Sequence, residues 1–311
     1  MRFYQPHTEF YCGVHLHTRN MYFTVVNRQN QIVVQRNMKT DADKFLQRLE
    51  PYRSSVVVAC ESTSSWYWFA DLCHDAGIEF VLGHALYMKA IHGSKKKNDQ
   101  VDSEKIARLT AGGLLPSAYV YPRRLRCLRD LLRRRLKLTR QRAELYTHMH
   151  AVNFQFNLPS ISAELKSKGK RHTLADRFED PAARRSIEAD LELIEHYTPL
   201  ISSLETHVKL AADEVYAKER RILESIPGVG MITSLTMLLE IDRIDRFPTR
   251  QTFCSYSRLV YPRGESDGKL YATQGRKHGN PYLKWAFTEA AVHAASHCEP
   301  IKKLSLRLER K

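Results

Sequence analysis

A chain of 311 residues with 43% apolar and 27% charged side chains has the composition of a folded protein with a sizeable core, which excludes disorder throughout. Its 49 lysines and arginines outnumber 34 acids and leave a formal charge of +15, so we expect a polyanion, first of all a nucleic acid, as partner. No run of about 18 apolar residues occurs and the start MRFYQPHTEF is polar, so we expect no membrane span, no signal peptide and a place in the cytosol. Six cysteines without a C-x-x-C pair predict reduced thiols.

The first 118 residues have the pattern of strands followed by alternating helices and strands. The segments FYCGV, MYFTVVN, QIVVQR and SVVVAC are rich in β-branched and aromatic residues, which predicts four strands between Phe10 and Cys60. SVVVAC is apolar without alternation, which predicts a strand covered on both faces at the centre of the sheet. Helices are predicted at 41–50, 66–72, 84–92 and 100–113, with a strand at 78–83. This order predicts an α/β domain with a mixed sheet and helices on its faces.

The next part of the chain, 119–222, changes to long basic helices. Residues 123–142 hold ten Arg or Lys against one Asp, with leucines at three- and four-residue spacing. A polar segment, KSKGKRH, separates this helix from a second one predicted from Pro181 to Ser225, and the pair predicts a coiled-coil arm. Residues 223–311 then predict a smaller, mainly α C-terminal domain, with a closing helix from about Asn280.

Three acids are candidates for a metal site. Glu61 follows the apolar strand SVVVAC, and Asp99 and Asp102 stand three residues apart where a helix begins. Grouped carboxylates suit Mg²⁺ or Mn²⁺. The alternative is that Asp99 is a helix N-cap and Asp102 a favourable first-turn acid. The lysines just upstream then form either a solvated loop or a phosphate-facing one: Lys95, Lys96 and Lys97.

The basic helix predicts binding to a nucleic-acid backbone, because crowded like charges destabilise a helix until a polyphosphate neutralises them. The alternative is a solvated face. The candidate contacts are Arg123, Arg124, Arg126, Arg129, Arg133, Arg134, Arg135, Lys137 and Arg140. In IPGVG, Gly228 and Gly230 allow backbone N–H groups to approach a phosphate, although such turns also use glycine for geometry alone.

A serine in the C-terminal part is a candidate nucleophile. Ser266 stands between Glu265 and Asp267 in RGESDGK, on a turn where a base or metal could activate it. The alternative is an ordinary polar turn. Arg276 and Lys277, followed by His278 in QGRKHGNPYLKW, are candidates to neutralise a phosphate or to form a solvated cap.

Together these segments resemble the transposases of the insertion sequence 110 family, the DEDD recombinases, over nearly the whole chain. The resemblance lies in CGVHLHTRNMYFTVVN, ACESTSSWYWFADLC, KNDQVDSEKIARL, SIPGVGMITSLTMLLEID and ESDGK followed by GRKHGNPYLKWAF. It implies a RuvC-like nuclease domain of the ribonuclease H fold at 1–118, the coiled-coil arm at 119–222 and a transposase domain at 223–311. It also implies a structured non-coding bridge RNA as guide, donor and target double-stranded DNA, and a homodimer that pairs into a tetramer.

The resemblance also assigns roles to single residues. Glu61, Asp99 and Asp102 match the second, third and fourth acids of a Mg²⁺-binding tetrad, and Ser266 matches a serine that forms a covalent phosphoserine link to DNA. The first acid falls at position 15, where this chain has His15. An imidazole offers Mg²⁺ one neutral nitrogen in place of a carboxylate, so we expect a protein that folds and binds nucleic acid but is catalytically impaired. The alternative is that His15 binds Mn²⁺ and some activity survives.

Two further functions stay open from the sequence. A metal-dependent RuvC-like junction nuclease would cut DNA with activated water and would not need Ser266. A non-catalytic RNA- and DNA-binding protein is the other, because the first acid is missing.

Overall fold

The computed structural model of the protein describes residues 2–62, 65–91, 98–260, 263–266, 268–272 and 278–309, which divide into two units at Arg123/Arg124. The strands of the first unit are β1 (Phe10–Leu16), β2 (Asn20–Asn27), β3 (Ile32–Lys39), β4 (Val56–Glu61) and β5 (Glu79–Gly83). Its helices are α1 (Ala42–Leu49), α2 (Trp66–Asp75), α3 (Ala85–Ile91) and α4 (Asp99–Ala111). The predicted order of strands and helices is confirmed.

The five strands form one mixed sheet in the order β3-β2-β1-β4-β5. The first three strands are antiparallel neighbours, whereas β4 runs parallel to β1 and to β5. The sequence placed SVVVAC at the centre of the sheet, but β1 occupies the middle and β4 lies beside it. This confirms the α/β class and fits the ribonuclease H fold that the family resemblance implies.

The two faces of the sheet carry separate cores. On one face, Val58 and Cys60 of β4 pack with Phe45 of α1 and Phe69 of α2. On the other face, side chains of α4 pack with the alternate residues of β4, such as Ala59. Because β4 is buried on both faces, its sequence has no polar alternation.

Helix α4 crosses the middle strand at very close range. A Cβ atom added to Gly13 of β1 would lie 2.2 Å from the backbone nitrogen of Ala107 and 2.2 Å from the backbone oxygen of Ser103. Real Cβ atoms essentially never come so near to backbone atoms, so only glycine permits this packing.

A row of polar side chains fixes the position of α4 along the sheet. The hydroxyls of Thr24 in β2 and Ser103 in α4 are 2.8 Å apart in a buried hydrogen bond. The side-chain amide of Gln35 in β3 donates to the Thr24 hydroxyl at 3.1 Å, and the side-chain amide of Gln100 in α4 donates to Oε1 of Gln35 at 2.6 Å. Buried polar groups must be paired, so sliding α4 by one turn would leave the buried hydroxyls of Thr24 and Ser103 without each other as partners.

The second unit is built mainly from helices. Helix α5 begins at the boundary between the units, and the elements are α5 (Arg123–Gln155), α6 (Ser162–Lys166), α7 (Lys168–Arg171), α8 (Pro181–Glu224), α9 (Met231–Ile241), α10 (Arg250–Tyr256), β6 (Arg263–Ser266), β7 (Lys269–Ala272), α11 (Pro281–His297) and α12 (Glu299–Glu309). The stretch between the two long helices contains the short helices α6 and α7, which the sequence did not predict. Within the described ranges, no helix is both long and apolar enough to cross a membrane.

The two long helices pack side by side in opposite directions. Leu125 and Leu132, near the start of α5, pack with Val208 and Ala212 in the second half of α8. Met149, near the end of α5, packs in a separate cluster with residues 187–194 near the start of α8. The leucine spacing of α5 therefore marks the face that it turns towards α8, as expected for an antiparallel helical arm.

Candidate functional site

The predicted metal ligands on the sheet stand at the ends of neighbouring parallel strands. Val14 of β1 pairs with Cys60 of β4, so His15 and Glu61 are the next residues on the two strands. Gly13 faces α4, and side chains alternate along a strand, so His15 lies on the same face of the sheet as α4. The same alternation from Ala59 places Glu61 on that face as well.

The other two predicted ligands lie in the first turn of α4. Asn98 is the N-cap of the helix, because its side chain accepts a hydrogen bond from the backbone nitrogen of Val101 at 2.8 Å. The alternative interpretation of Asp99 as the N-cap is therefore wrong. Asp99 and Asp102 are both first-turn acids, a place where the helix dipole stabilises negative charge.

The structure brings together one group of three potential metal ligands within the described residues: His15, His17 and Asp99. The Nε2 atom of His15 is 3.5 Å from Oδ1 of Asp99, and Nε2 of His17 is 3.4 Å from the same oxygen. The side chain of His15 is 14% exposed, whereas His17 and Asp99 are about half exposed. Glu61 and Asp102 are not part of this group.

This set of ligands does not fit the Mg²⁺ site that the family resemblance implies. Mg²⁺ prefers hard oxygen ligands in near-octahedral geometry, and the group offers two imidazole nitrogens and one carboxylate. Sequence reasoning noted His15 but missed His17. The signal was present in CGVHLH, where two histidines stand two residues apart, the spacing that puts side chains on one face of a strand.

Several cations of the basic helix are engaged inside the second unit. The side chain of Arg129 donates to Glu240 at 2.8 Å, and Arg133 donates to the same carboxylate at 2.6 Å. Arg135 donates to Glu205 at 2.8 Å, and Arg126 is buried. Three of these four arginines therefore have carboxylate partners within the second unit, and their contact with nucleic acid, like that of Arg126, stays a prediction.

The remaining predicted cations of α5 are exposed. Arg123 forms surface ion pairs with Asp71 and Asp75 at 3.5 and 3.4 Å. The others that the sequence singled out are Arg124, Arg134, Lys137 and Arg140. The last three are spaced three residues apart, which places them on one side of the helix, and we call them the exposed basic stripe.

Glu240 is the centre of a buried charge cluster. Its side chain is 1% exposed and accepts hydrogen bonds from Arg129, Arg133 and the side-chain amide of Asn280, the last at 2.8 Å. Burial on its own raises the pKa of Glu240, but the hydrogen bond from Arg133 and the charges of both arginines outweigh it and hold the pKa below its ordinary value. Asn280 also caps α11, so the cluster ties α5, α9 and the start of α11 together.

The glycines of IPGVG have structural roles. Gly228 has φ +87°, and an added Cβ would lie 2.2 Å from the backbone oxygen of Ala290 in α11. The backbone nitrogen of Gly230 donates to the hydroxyl of Thr233 at 2.9 Å, which caps α9. Geometry, the alternative in the sequence interpretation, accounts for Gly228, whereas a Cβ added to Gly230 would meet nothing within 4 Å. Contact of either glycine with a phosphate stays a prediction.

The candidate nucleophile lies at the end of a short hairpin. Ser266 is the last residue of β6 and pairs with Lys269 of β7 in an antiparallel ladder. Gly268, in the turn between them, has φ +72°, a conformation that glycine adopts without strain. The predicted basic contacts outside the described residues are Lys95, Lys96, Lys97, Arg276 and Lys277.

Two family models match the chain. A transposase model of the DEDD type from IS110 elements matches residues 12–154, which include His15, Glu61, Asp99 and Asp102. A model described as the transposase IS116/IS110/IS902 family matches residues 220–305, which include Ser266. No curated protein matches the chain.

Proposed function

The chain belongs to the IS110 family of transposases, and on that premise we propose that it recombines DNA through a covalent bond between Ser266 and a DNA phosphate. The family itself establishes a DNA transposase and a DNA substrate. One observation supports the proposed covalent mechanism through Ser266. The DEDD-type match contains the strand ends with Glu61 and the first turn of α4, and the second match contains the hairpin with Ser266.

The proposed chemistry is a transesterification. The hydroxyl oxygen of Ser266 forms a bond to phosphorus while the bond from phosphorus to one DNA oxygen breaks, and the serine proton passes through solvent to that oxygen, which leaves as a DNA hydroxyl. A hydroxyl of the other DNA then attacks the phosphoserine and restores the serine. Phosphodiester energy is conserved in both steps, so strand exchange needs no nucleotide cofactor.

His15 is proposed to impair this chemistry. Family members of the DEDD type are typically dependent on a divalent metal, and the resemblance names Mg²⁺, with Mn²⁺ as the alternative ion. At the position of the first acid this chain has an imidazole, which lies beside Asp99 and does not supply the negative charge that Mg²⁺ requires. We therefore expect weak activity with Mg²⁺.

The proposed partners are nucleic acids and further copies of the chain. The resemblance implies donor and target DNA, a structured guide RNA and a homodimer that pairs into a tetramer. It also implies that the protein acts in a bacterial-type cytosol. The formal charge of +15 and the exposed basic stripe support a polyanionic partner. The boundaries 1–118, 119–222 and 223–311 remain part of the proposal.

The test of the nucleophile uses a His15→Asp background, in which the first acid is restored. With guide RNA, donor DNA, target DNA and Mg²⁺, we expect this variant to give a protein–DNA adduct on a denaturing gel. Adding Ser266→Ala should abolish the adduct, and adding Ser203→Ala, an exposed serine of α8, should not. Cleavage that continues without an adduct in the Ser266→Ala variant would instead establish the junction nuclease.

A second function is favoured by His15 itself. A chain with a weakened metal site could serve as a non-catalytic RNA- and DNA-binding protein. Binding that persists in EDTA, with no cleavage by the original chain or by His15→Asp in Mg²⁺ or Mn²⁺, would support it over the recombinase.

A further inference from the structure

We propose that His15, His17 and Asp99 bind a divalent transition-metal ion of the Zn²⁺ class in preference to Mg²⁺. One ligand atom of each residue lies within 4.8 Å of the other two. The nitrogens of the two histidines are 3.5 and 3.4 Å from one oxygen of Asp99. Ligand atoms at about 2.0–2.2 Å from a tetrahedral ion are separated by about 3.3–3.6 Å, so small rotations of the side chains would complete the site.

The chemistry of the ligands selects the ion. Imidazole nitrogen suits Zn²⁺, Co²⁺ and related ions, whereas Mg²⁺ prefers oxygen and gives up its water reluctantly. An imidazole binds a metal ion through an unprotonated nitrogen, and the carboxylate supplies one negative charge. A transition-metal ion gains more from the nitrogens than Mg²⁺ does, because its bonds to them are more covalent.

The backbone holds two of the three residues, His15 and Asp99, in place before any ion binds. His15 belongs to the middle strand of the sheet, where it pairs with Tyr22 of β2. Asp99 lies in the first turn of α4, which the hydrogen bond between Thr24 and Ser103 fixes to the sheet. Ligands on rigid elements lose little conformational freedom on binding, which favours affinity.

The site would keep an open position. His17 and Asp99 are each about half exposed, so one side of the group faces solvent. Catalytic zinc sites have three protein ligands and an open fourth position for water or substrate. This inference rests on the proposed function in one respect: the ligand of that open position would be a phosphate oxygen of DNA.

The test is a Co²⁺ titration of the full chain after chelator treatment, without nucleic acid. We expect visible d–d absorption that saturates at one Co²⁺ per chain and is removed by Zn²⁺ but not by a large excess of Mg²⁺. The near-ultraviolet band of a cobalt–thiolate bond should be absent, which separates this site from binding at the exposed Cys127. Removal of the absorption by Mg²⁺ at comparable concentration would overturn the inference.

Single substitutions test whether Co²⁺ binds at these three residues. His17→Ala and His15→Ala should each weaken Co²⁺ binding by more than about tenfold. The control is His74→Ala, because His74 is an exposed histidine 3.3 Å from Asp75 outside the group, and binding should remain unchanged. Circular dichroism should show that His17→Ala is folded, since His17 is half exposed. Unchanged binding in His17→Ala would overturn the inference.

Metal binding and recombination can fail separately. If Co²⁺ does not bind but His15→Asp forms adducts that require Ser266, the metal inference is wrong and the proposed function stands. If Co²⁺ binds as expected but adducts do not depend on Ser266, the proposed function is wrong and the metal site stands.

Discussion

At the scale of single residues, Glu240 is the strongest case of a charge that the fold depends on. Its carboxylate is buried and forms ion pairs with both Arg129 and Arg133. Removing one partner of a buried ion pair leaves an uncompensated charge, which costs far more than the pair itself contributes. We predict that Glu240→Gln lowers the free energy of unfolding by about 3–5 kcal/mol in urea denaturation. Glu219→Gln, at an exposed position of α8, is the control and should change it little; equal losses in both variants would contradict this role.

The lowered pKa of Glu240 also predicts how stability depends on pH. A group whose pKa is depressed in the folded state stabilises the fold at pH values above its unfolded pKa, and this contribution is lost as the pH falls through the folded value. We therefore predict that acidification below the ordinary value of 4.5 destabilises the original chain more than Glu240→Gln. Thermal unfolding from pH 7 to pH 3 measures this, and parallel curves for the two proteins would contradict the assignment.

Gly13 is the residue whose replacement has the clearest steric consequence. The added methyl of Gly13→Ala would meet backbone atoms of Ser103 and Ala107, which cannot rotate away as a flexible side chain can. We predict a loss of about 3 kcal/mol or more in the free energy of unfolding. Gly169→Ala is the control, since its methyl would meet nothing within 4 Å. A stable Gly13→Ala variant would mean that α4 does not pack so closely on β1.

At the scale of elements, the helices and strands were predictable because their hydrophobic patterns are local. The alternation-free SVVVAC correctly predicts a strand buried on both faces, and the leucines of α5 correctly predict an amphipathic helix. The strand order was not predictable, since pairing between β1 and β4 joins residues far apart in the chain. The exact start of α4 was also missed, because Asn98 and Asp99 are both good N-cap residues and only the backbone geometry decides between them.

At the same scale, we predict that the exposed basic stripe of α5 binds the nucleic-acid backbone. Neutralising Arg134, Lys137 and Arg140 with glutamine should weaken binding to double-stranded DNA and reduce the slope of log affinity against log salt by up to about 3. Fluorescence anisotropy at several salt concentrations measures both quantities.

The control for the stripe removes equal charge elsewhere in the second unit. Lys302, Lys303 and Arg307 are exposed on α12, and their triple glutamine variant should change the slope much less. Equal effects of the two triple variants would mean that net charge, and not the stripe, determines binding.

At the scale of the whole molecule, the reaction rates of the cysteine thiols show whether the core of the first unit excludes reagents. Cys12, Cys60 and Cys73 lie in one core of the sheet, and burial raises the pKa of the Cys73 thiol to about 12. A thiol reagent should therefore modify these three only through unfolding, while the exposed Cys127 reacts fast. Stopped-flow labelling should show a fast phase that Cys127→Ser removes. Rapid labelling of all thiols in the native protein would contradict the described core.

The candidate site, like the strand order, was only partly predictable because it depends on contacts between distant segments of the chain. The family resemblance singled out His15 and Asp99, which the structure brings together, whereas the role of Ser266 stays a prediction. The sequence could not identify the contact between His17 and Asp99, or the burial of Glu240 against the arginines of α5, because these contacts form only when distant segments meet. As a result, nothing in the sequence indicated that Arg129 and Arg133, two of the arginines predicted to contact nucleic acid, pair with a carboxylate inside the protein.

The most direct test of the central claim compares the original chain with His15→Asp in a strand-exchange reaction with guide RNA, donor DNA, target DNA and Mg²⁺. The readout is the covalent protein–DNA adduct on a denaturing gel, together with the joined DNA product. We predict that His15→Asp gives both and that the original chain gives little of either, because restoring the carboxylate restores a ligand that Mg²⁺ prefers. Equal yields from the two proteins would show that His15 does not impair the reaction and would contradict our interpretation of the metal site.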